Sequence, residues 1–362
     1  MSCGGIDVNN DRDLSADLQA RVTEARRNKT PLNITGGGSK AFYGRHPQGR
    51  VFKVAGHRGV TAYEPAELVI TARAGTPLHE LETLLAGQRQ MLAFEPPHFS
   101  TGATLGGCVA SGLSGPRRPY AGAVRDFVLG VKCLTGKGEI LSFGGQVMKN
   151  VAGYDVSRLM AGALGTLGIL LEVSLKVLPR PAADTTLYFA VSAGQALDMM
   201  NRWAGQPLPL SAACYDHGQL FVRLSGSEPG VAAAAAKIGG DVYPHGTQLW
   251  HDLREHRLAF FNGSLPLWRV SVPSAAPPLD LPGAQLIDWG GAQRWIKGDV
   301  PAGQVRDRAA SLGGHAALFR HGDRRGAAFH PLAPPLMVLH QRLKHAFDPD
   351  NILNPGRMYV GS

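Results

Sequence analysis

The seventeen residues from Phe99 to Gly115 read Phe-Ser-Thr-Gly-Ala-Thr-Leu-Gly-Gly-Cys-Val-Ala-Ser-Gly-Leu-Ser-Gly, with five glycines, five serine or threonine hydroxyls and no charge. Glycine has no Cβ, so a ligand can come within reach of its backbone N–H. Successive N–H groups in turn conformations form an anion-binding nest. A stretch so short of large apolar side chains is poor core material. On these residues alone two readings stand open: a wrap around a phosphate-bearing cofactor, or a long surface loop with ordinary turn chemistry.

The rest of the chain has material to hold such a stretch. Of 362 residues, 44% are hydrophobic and 18% charged, which allows roughly two packed domains. The 46 glycines and 25 prolines favour turns and sites built from backbone. The net charge of +9 is dispersed, its tightest runs being Arg26-Arg27, Arg117-Arg118 and Arg324-Arg325. No basic patch is interleaved with aromatics, so a nucleic-acid-binding class is excluded. The cysteines, Cys3, Cys108, Cys133 and Cys214, form no Cys-x-x-Cys pair, and no metal or iron–sulfur site is expected from this chain. Met1 to Asp17 is polar and acidic, and no apolar run reaches about 18 residues. A cytoplasmic setting without leader or membrane span is expected.

Leu14, Leu18 and Val22 recur at helical spacing and predict a helix over Asp17 to Lys29, with Ser15 as its cap. Leu32-Asn33-Ile34 reads as a short buried strand feeding Thr35-Gly36-Gly37-Gly38-Ser39-Lys40. This turn has neither P-loop nor Gly-x-Gly-x-x-Gly spacing; it is either a phosphate cradle or a plain flexible turn. A strand over 68–73 leads to a helix started by Pro77. Strands over 126–135 and 140–143 flank the hairpin loop Gly136 to Glu139. A short helix is expected over 157–163 and a long apolar strand over 169–178. Pro179-Arg180-Pro181 marks a boundary. Beyond it, strands over 187–191, 220–224 and 268–272 alternate with Ala-rich helices over 193–203 and 230–238, an α+β pattern with an antiparallel sheet. Leu336, Leu339, Leu343 and Phe347 share one face of a last helix, a stripe that reads as core.

Four pieces stand in a fixed order: Ile34 to Lys40, Phe99 to Gly115, Lys149 to Ile169 with Gly165-Thr166-Leu167-Gly168-Ile169, and Asp348 to Met358 with Asn354-Pro355-Gly356. The most specific marks are Gly-Gly-Gly-Ser-Lys-Ala-Phe-Tyr-Gly at 36–44 and Met-Lys-Asn-Val-Ala-Gly-Tyr-Asp at 148–155. On these the chain resembles, over essentially its whole length, the FAD-binding oxidoreductases of the vanillyl-alcohol oxidase (PCMH) type. The resemblance implies an α+β fold. A two-lobed FAD-binding domain would cover 1–180 and an α+β cap domain with an antiparallel sheet 181–330; a C-terminal helix and tail, 331–362, would return to the flavin site.

It also implies FAD. Some members attach flavin through a histidine after the glycine loop; here Ser39-Lys40 stands there, so noncovalent FAD is expected. Thr35, Gly36, Gly37, Gly38, Ser39 and Lys40 would bind the pyrophosphate. Pro97, Thr101, Gly102, Thr104, Gly106, Gly107, Ser111, Gly112 and Ser114 would line phosphates, ribitol and ring. Gly168 and Ile169 would sit by the adenine, and Asn354 would approach the flavin from the tail. The implied reaction oxidises a small 2-hydroxy acid, glycolate to glyoxylate, with the flavin carrying the redox chemistry. Its implied partners are an iron–sulfur subunit and a second flavin subunit.

Related D-2-hydroxy-acid dehydrogenases carry His-x-Gly-Asp-Gly-Asn-x-His in the cap for metal and substrate. This chain has Arg320-His321-Gly322-Asp323-Arg324-Arg325-Gly326, with His330 beyond. The catalytic residues are therefore left unassigned, and an accessory electron-transfer subunit without turnover stands as the second reading. His321 and Asp323 are either a base with its orienter or a polar loop. Arg117, Arg118, Arg324 and Arg325 either pair with a substrate carboxylate or sit on the surface. His98 and Lys149 are each open between a functional and a structural role. Trp250, Trp268, Trp289 and Trp295 read as cap core or interface.

Overall fold

The computed structural model describes residues 11–145 and 155–361; the stretch 148–154, with Lys149, lies outside the described residues, as does Cys3. The first half runs α1 (Ser15–Arg27), β1 (Leu32–Thr35), β2 (Arg50–Lys53), β3 (Val60–Glu64), β4 (Val69–Arg73), α2 (Leu78–Gly87), β5 (Gln90–Met91), α3 (Leu105–Ser111), α4 (Arg118–Ala121), α5 (Val124–Phe127), β6 (Val128–Leu134), β7 (Ile140–Gly144), α6 (Val156–Met160), β8 (Ile169–Lys176) and β9 (Leu178–Pro179). The second runs β10 (Ala183–Ala190), α7 (Ala193–Ala204), β11 (Leu210–Asp216), β12 (Gln219–Gly226), α8 (Glu228–Ile238), β13 (Asp241–Val242), α9 (Gly246–Glu255), β14 (Leu267–Ser271), β15 (Ala284–Asp288), β16 (Gln293–Lys297), α10 (Ala302–Ser311), β17 (His315–Arg320) and α11 (Pro334–Phe347).

A five-stranded antiparallel sheet, in the order β3-β4-β8-β6-β7, organises the first half. Its central strand β8 is covered on both faces, which is why it reads as an almost unbroken apolar run. Leu81 and Leu85 of α2 and Leu105 and Val109 of α3 pack on one side; Leu18 and Val22 of α1, with Leu32 and Phe52 of the parallel pair β1–β2, pack on the other. Each fully buried leucine here contributes about 1.5–3 kcal/mol.

The chain's end joins this layer. Leu32 N donates to Ile352 O at 2.7 Å and Asn354 N to Leu32 O at 2.9 Å, so the tail extends the β1–β2 pair. Lys344 holds it there from inside, donating to Thr166 O at 2.9 Å, Leu353 O at 2.6 Å and Asp348 Oδ2 at 2.6 Å.

An eight-stranded antiparallel sheet, β13-β10-β12-β11-β15-β16-β14-β17, forms the cap. Helices α7, α8 and α10 pack with its apolar side chains. A further cluster joins it to the first half: Tyr43, Leu113 and Leu164 meet Trp250, Phe261, Trp295 and Phe319.

The structure corrects several expectations. Ser15 does not cap α1; its N–H donates to Asp13 Oδ1 at 2.8 Å and the helix starts at Ser15 itself. A helical turn, α5, precedes β6. In α11 only Leu343 and Phe347 pack on the core, while Leu336 and Leu339 are 50% and 51% exposed, because the helix rests on the fold by its C-terminal half. The largest correction concerns the glycine-rich stretch. Half of it is α3, started by Thr104, whose hydroxyl accepts from Gly107 N at 3.3 Å, and ended by Gly112 in the left-handed region at φ 66°. Its apolar residues are core. Gly106 is the reason a glycine helix fits: a Cβ there would press to 2.9 Å from the Ala74 carbonyl oxygen.

Candidate functional site

β1 delivers Gly36 to Lys40 to the mouth of a cleft whose far wall is α3. One cavity of about 130 Å³ is lined by Thr35, Gly36, Gly37, Gly38, Ser39, Lys40, Thr104, Gly107, Ser111, Asn354 and Arg357. Another of about 80 Å³ shares Gly36, Thr104, Gly107 and Asn354 with it and adds Gly106, Gly168 and Ile169. The backbones touch without side chains between them. A Cβ on Gly37 would land within bonding distance of the Gly102 carbonyl oxygen, and one on Gly36 would overlap the Thr104 hydroxyl.

Among the described residues, no backbone N–H from Gly36 to Lys40 donates a hydrogen bond. These five residues line the cleft, and successive unbonded N–H groups are what an anion-binding nest uses. Lys40 adds charge. The residue is 9% exposed, yet the ammonium makes only long hydrogen bonds, to Ser39 Oγ at 3.3 Å and His98 O at 3.4 Å. Burial pushes its pKa down, as expected for a cation lacking a close counter-charge. These residues fit a dinucleotide flavin: free donors, a cation and an apolar recess, with no room taken by side chains.

Other predicted positions act from behind. Asn354, at φ 43°, accepts from Ile34 N at 2.7 Å through Oδ1 and donates to Leu164 O at 2.7 Å through Nδ2, so both ends of its amide stitch the cleft rather than reach into it. Gly102 backs Gly37, and Gly112 packs on Gly162. Thr101 is exposed and lines neither cavity. Arg357, which the sequence reading missed, braces the loop by donating to Ala41 O at 2.9 Å and to the Arg45 carbonyl.

Pro97 and Ser114 lead elsewhere. They line a third cavity, of about 30 Å³, whose other wall is the cap face with His256, Arg269, Asp288 and Trp295. None of His256, Arg269 and Asp288 was expected. His256 stacks on Phe261 with ring centroids 4.0 Å apart, and its Nδ1 is sealed and unpartnered. Burial, with Arg320 and Arg269 nearby, pushes its pKa well below 6.5.

Asp288 is 4% exposed, and burial pushes its pKa up to about 7. An acid whose folded pKa is raised stabilises the fold fully below its unfolded value of 3.8 and loses that contribution as pH rises through about 7. Asp288→Asn is therefore expected to gain stability over the wild type between those pH values. Denaturant unfolding at both ends of the window checks this; a wild-type-minus-variant difference independent of pH would refute it.

The remaining candidates have neighbours within the fold. Glu95 collects Arg117 Nε at 3.3 Å and Arg223 Nη2 at 2.8 Å. Arg118 lies over the Trp289 ring at 4.4 Å. Arg324 donates to Gly44 O at 3.2 Å. Arg325 pairs on the surface with Asp323, whose carboxylate is thereby spent on Arg325 rather than on His321. His98 Nε2 lies 3.1 Å from Glu82 Oε2. All four tryptophans are buried.

With the cleft in view, similarity to known proteins assigns the class. Residues 14–144 match the family described as FAD binding domain, and the chain belongs to the PCMH-type family of FAD-binding oxidoreductases. It is 51% identical to the glycolate oxidase subunit GlcE of Escherichia coli (strain K12) over 96% of this chain and 98% of that one. The D-lactate dehydrogenase of Archaeoglobus fulgidus is 24% identical over 95% of this chain and 89% of its own. In fold, alkyldihydroxyacetonephosphate synthase superposes with a TM-score of 0.67 at 16% identity, covering 94% of this chain and 74% of that one. No helix among the described residues is long and apolar enough to cross a membrane.

Proposed function

We propose that this chain is the FAD-carrying subunit of a complex that oxidises a small 2-hydroxy acid, glycolate, to glyoxylate. The observation that carries the flavin part is the row of unpartnered N–H groups from Gly36 to Lys40; the substrate part follows the similarity to a glycolate oxidase subunit across nearly the whole chain. Bound FAD supplies the two-electron redox chemistry. The chain's own residues hold the pyrophosphate at 35–40, seat the adenine end by Gly168 and Ile169, and close the cleft with Asn354. Binding is noncovalent. The flavin domain spans 1–180, the cap 181–330, and the returning helix and tail 331–362.

Electrons leave to an iron–sulfur subunit, with a second flavin subunit in the same complex. Support for a partner comes from α11, where Leu336, Val338 and Leu339 are 50%, 46% and 51% exposed; Leu339→Glu is expected to lower recovery of the complex while flavin content is kept. The accessory reading draws on the surface pairing of Asp323 with Arg325. Anaerobic glycolate decides: loss of visible flavin absorbance in the isolated, loaded chain means direct oxidation, whereas loss only after the partners are added means an accessory role.

A further inference from the structure

Helix α9 of the cap ends against the flavin half. Its last residue, Glu255, is buried, and Oε2 accepts from Phe99 N at 2.7 Å and from His98 N at 3.1 Å. Arg254 Nε holds the other oxygen at 2.8 Å. Burial by itself raises the pKa of this carboxyl; the Phe99 and His98 N–H groups and the Arg254 charge outweigh it and bring the pKa below its ordinary value. Glu255 is therefore an anion spent on the main chain of the other half. The turn it grips is one that a side chain seldom adopts. Phe99 stands at φ 59°, and such a conformation persists only where its surroundings hold it.

The peptide between His98 and Phe99 has a second partner. Its N–H is on Glu255, and its C=O accepts from Lys40 Nζ at 3.4 Å. In a trans peptide these two groups point opposite ways, so this one lies with its dipole between a buried anion and a buried cation. A carboxylate on the N–H also strengthens the carbonyl as an acceptor. Lys40 lines the glycine cleft, as does Arg357. Its other neighbours are Ser39 Oγ at 3.3 Å, the Phe99 ring at 5.7 Å and Cys108 of α3. Burial pushes the Cys108 thiol up to about 12, so it stays neutral and leaves Glu255 as the anion acting on Lys40 among the described residues. Around Glu255 stand Arg254, Arg320 and His98, and His98 Nε2 is 3.1 Å from Glu82 Oε2.

We propose that Glu255 is a positioning residue for FAD: across the His98–Phe99 peptide it holds the Lys40 ammonium at the pyrophosphate end of the cleft. The proposal rests on the FAD reading above. It makes the cap part of the flavin site, although no cap residue lines the glycine cleft. Burial pushes the Lys40 pKa down, and the Glu255 charge opposes that. The charged ammonium is the form that attracts a pyrophosphate, so FAD affinity is full below the Lys40 pKa and falls as pH rises through it. Removing the Glu255 charge moves that fall to lower pH.

FAD titrations of the full chain across neutral to alkaline pH test this. Glu255→Gln is expected to weaken FAD about tenfold at neutral pH and to begin the alkaline fall about one pH unit lower than in the wild type. Lys40→Met, which has no ammonium to lose, supplies the baseline. In that background Glu255→Gln should change FAD affinity less than twofold and leave the pH profile unmoved. A merely structural Glu255 would weaken FAD equally at every pH and equally in both backgrounds. Arg254→Gln keeps the carboxylate and removes its cation, so the alkaline fall should move to higher pH; this variant decides if Glu255→Gln does not fold. An alkaline fall at the wild-type pH in Glu255→Gln, or one that stays or moves down in Arg254→Gln, would overturn the proposal and leave the flavin reading intact. A wild-type chain that takes up no FAD at any pH defeats the flavin reading itself, and the proposal with it.

Discussion

Gly37→Ala is expected to abolish FAD binding. The added Cβ would fall on the Gly102 carbonyl oxygen, a backbone atom that cannot rotate away. Relief requires moving either the Gly36–Lys40 turn or the segment before α3, and these carry the two walls of the cleft. Overpacking of this kind typically costs about 1–3 kcal/mol in stability. The effect on the ligand is larger, because the turn that lines the cleft is the part displaced. A loss of more than about 100-fold in FAD affinity, some 2.7 kcal/mol, is expected in a flavin titration. Gly87→Ala, at the end of α2, is the control: its Cβ meets nothing within 4 Å, and no loss of flavin is expected. Equal flavin retention in both variants would show that the close approach of the two glycine segments does not build the site.

Lys344→Met is expected to be the most destabilising single change away from the cleft. Lys344 is 6% exposed, and its ammonium satisfies Thr166 O, Leu353 O and Asp348 Oδ2 at once. Asp348, 1% exposed, in turn accepts from Ile352 N at 3.1 Å and Leu353 N at 2.7 Å. Methionine leaves that carboxylate buried with no cation, which costs about 3–5 kcal/mol. In a domain of this size that corresponds to a fall of about 10 °C in unfolding midpoint. The tail carries Asn354, whose amide ties Ile34 to Leu164, so FAD affinity should fall together with stability. Replacing Lys344 and Asp348 together by apolar residues should cost less than Lys344→Met alone, since no charge is then stranded. Thermal melts of the two variants, with and without FAD, provide the comparison.

The glycine-lined cleft was legible because its determinants are local. Gly36, Gly37 and Gly38 follow a strand directly, and a turn that must present N–H groups needs glycine in the sequence itself. Helix α3 was not legible. Its glycines argue against a helix by propensity, and only the tertiary approach of Gly106 to Ala74 shows why they are needed. The cap's composition indicated α+β, yet the sheet is joined by non-local pairings such as β11 with β15, so the order β13-β10-β12-β11-β15-β16-β14-β17 had no sequence signal. His256 was hidden for the same reason. In sequence it is one polar residue after α9, between Glu255 and Arg257; in the fold it ends the helix at φ 55° and is turned among the nearby Phe261 ring and rings from three distant segments. Conversely, Arg117 looked available in sequence because nothing local announces Glu95, 22 residues before it, as its partner.

Flavin content of the purified full chain tests most directly whether this cleft holds FAD without a covalent bond. The expected result is a yellow protein with one FAD per chain, all of it released into the supernatant on denaturation and regained on refolding with added FAD. A colourless chain that cannot be loaded, or flavin that stays with the denatured polypeptide, would contradict it.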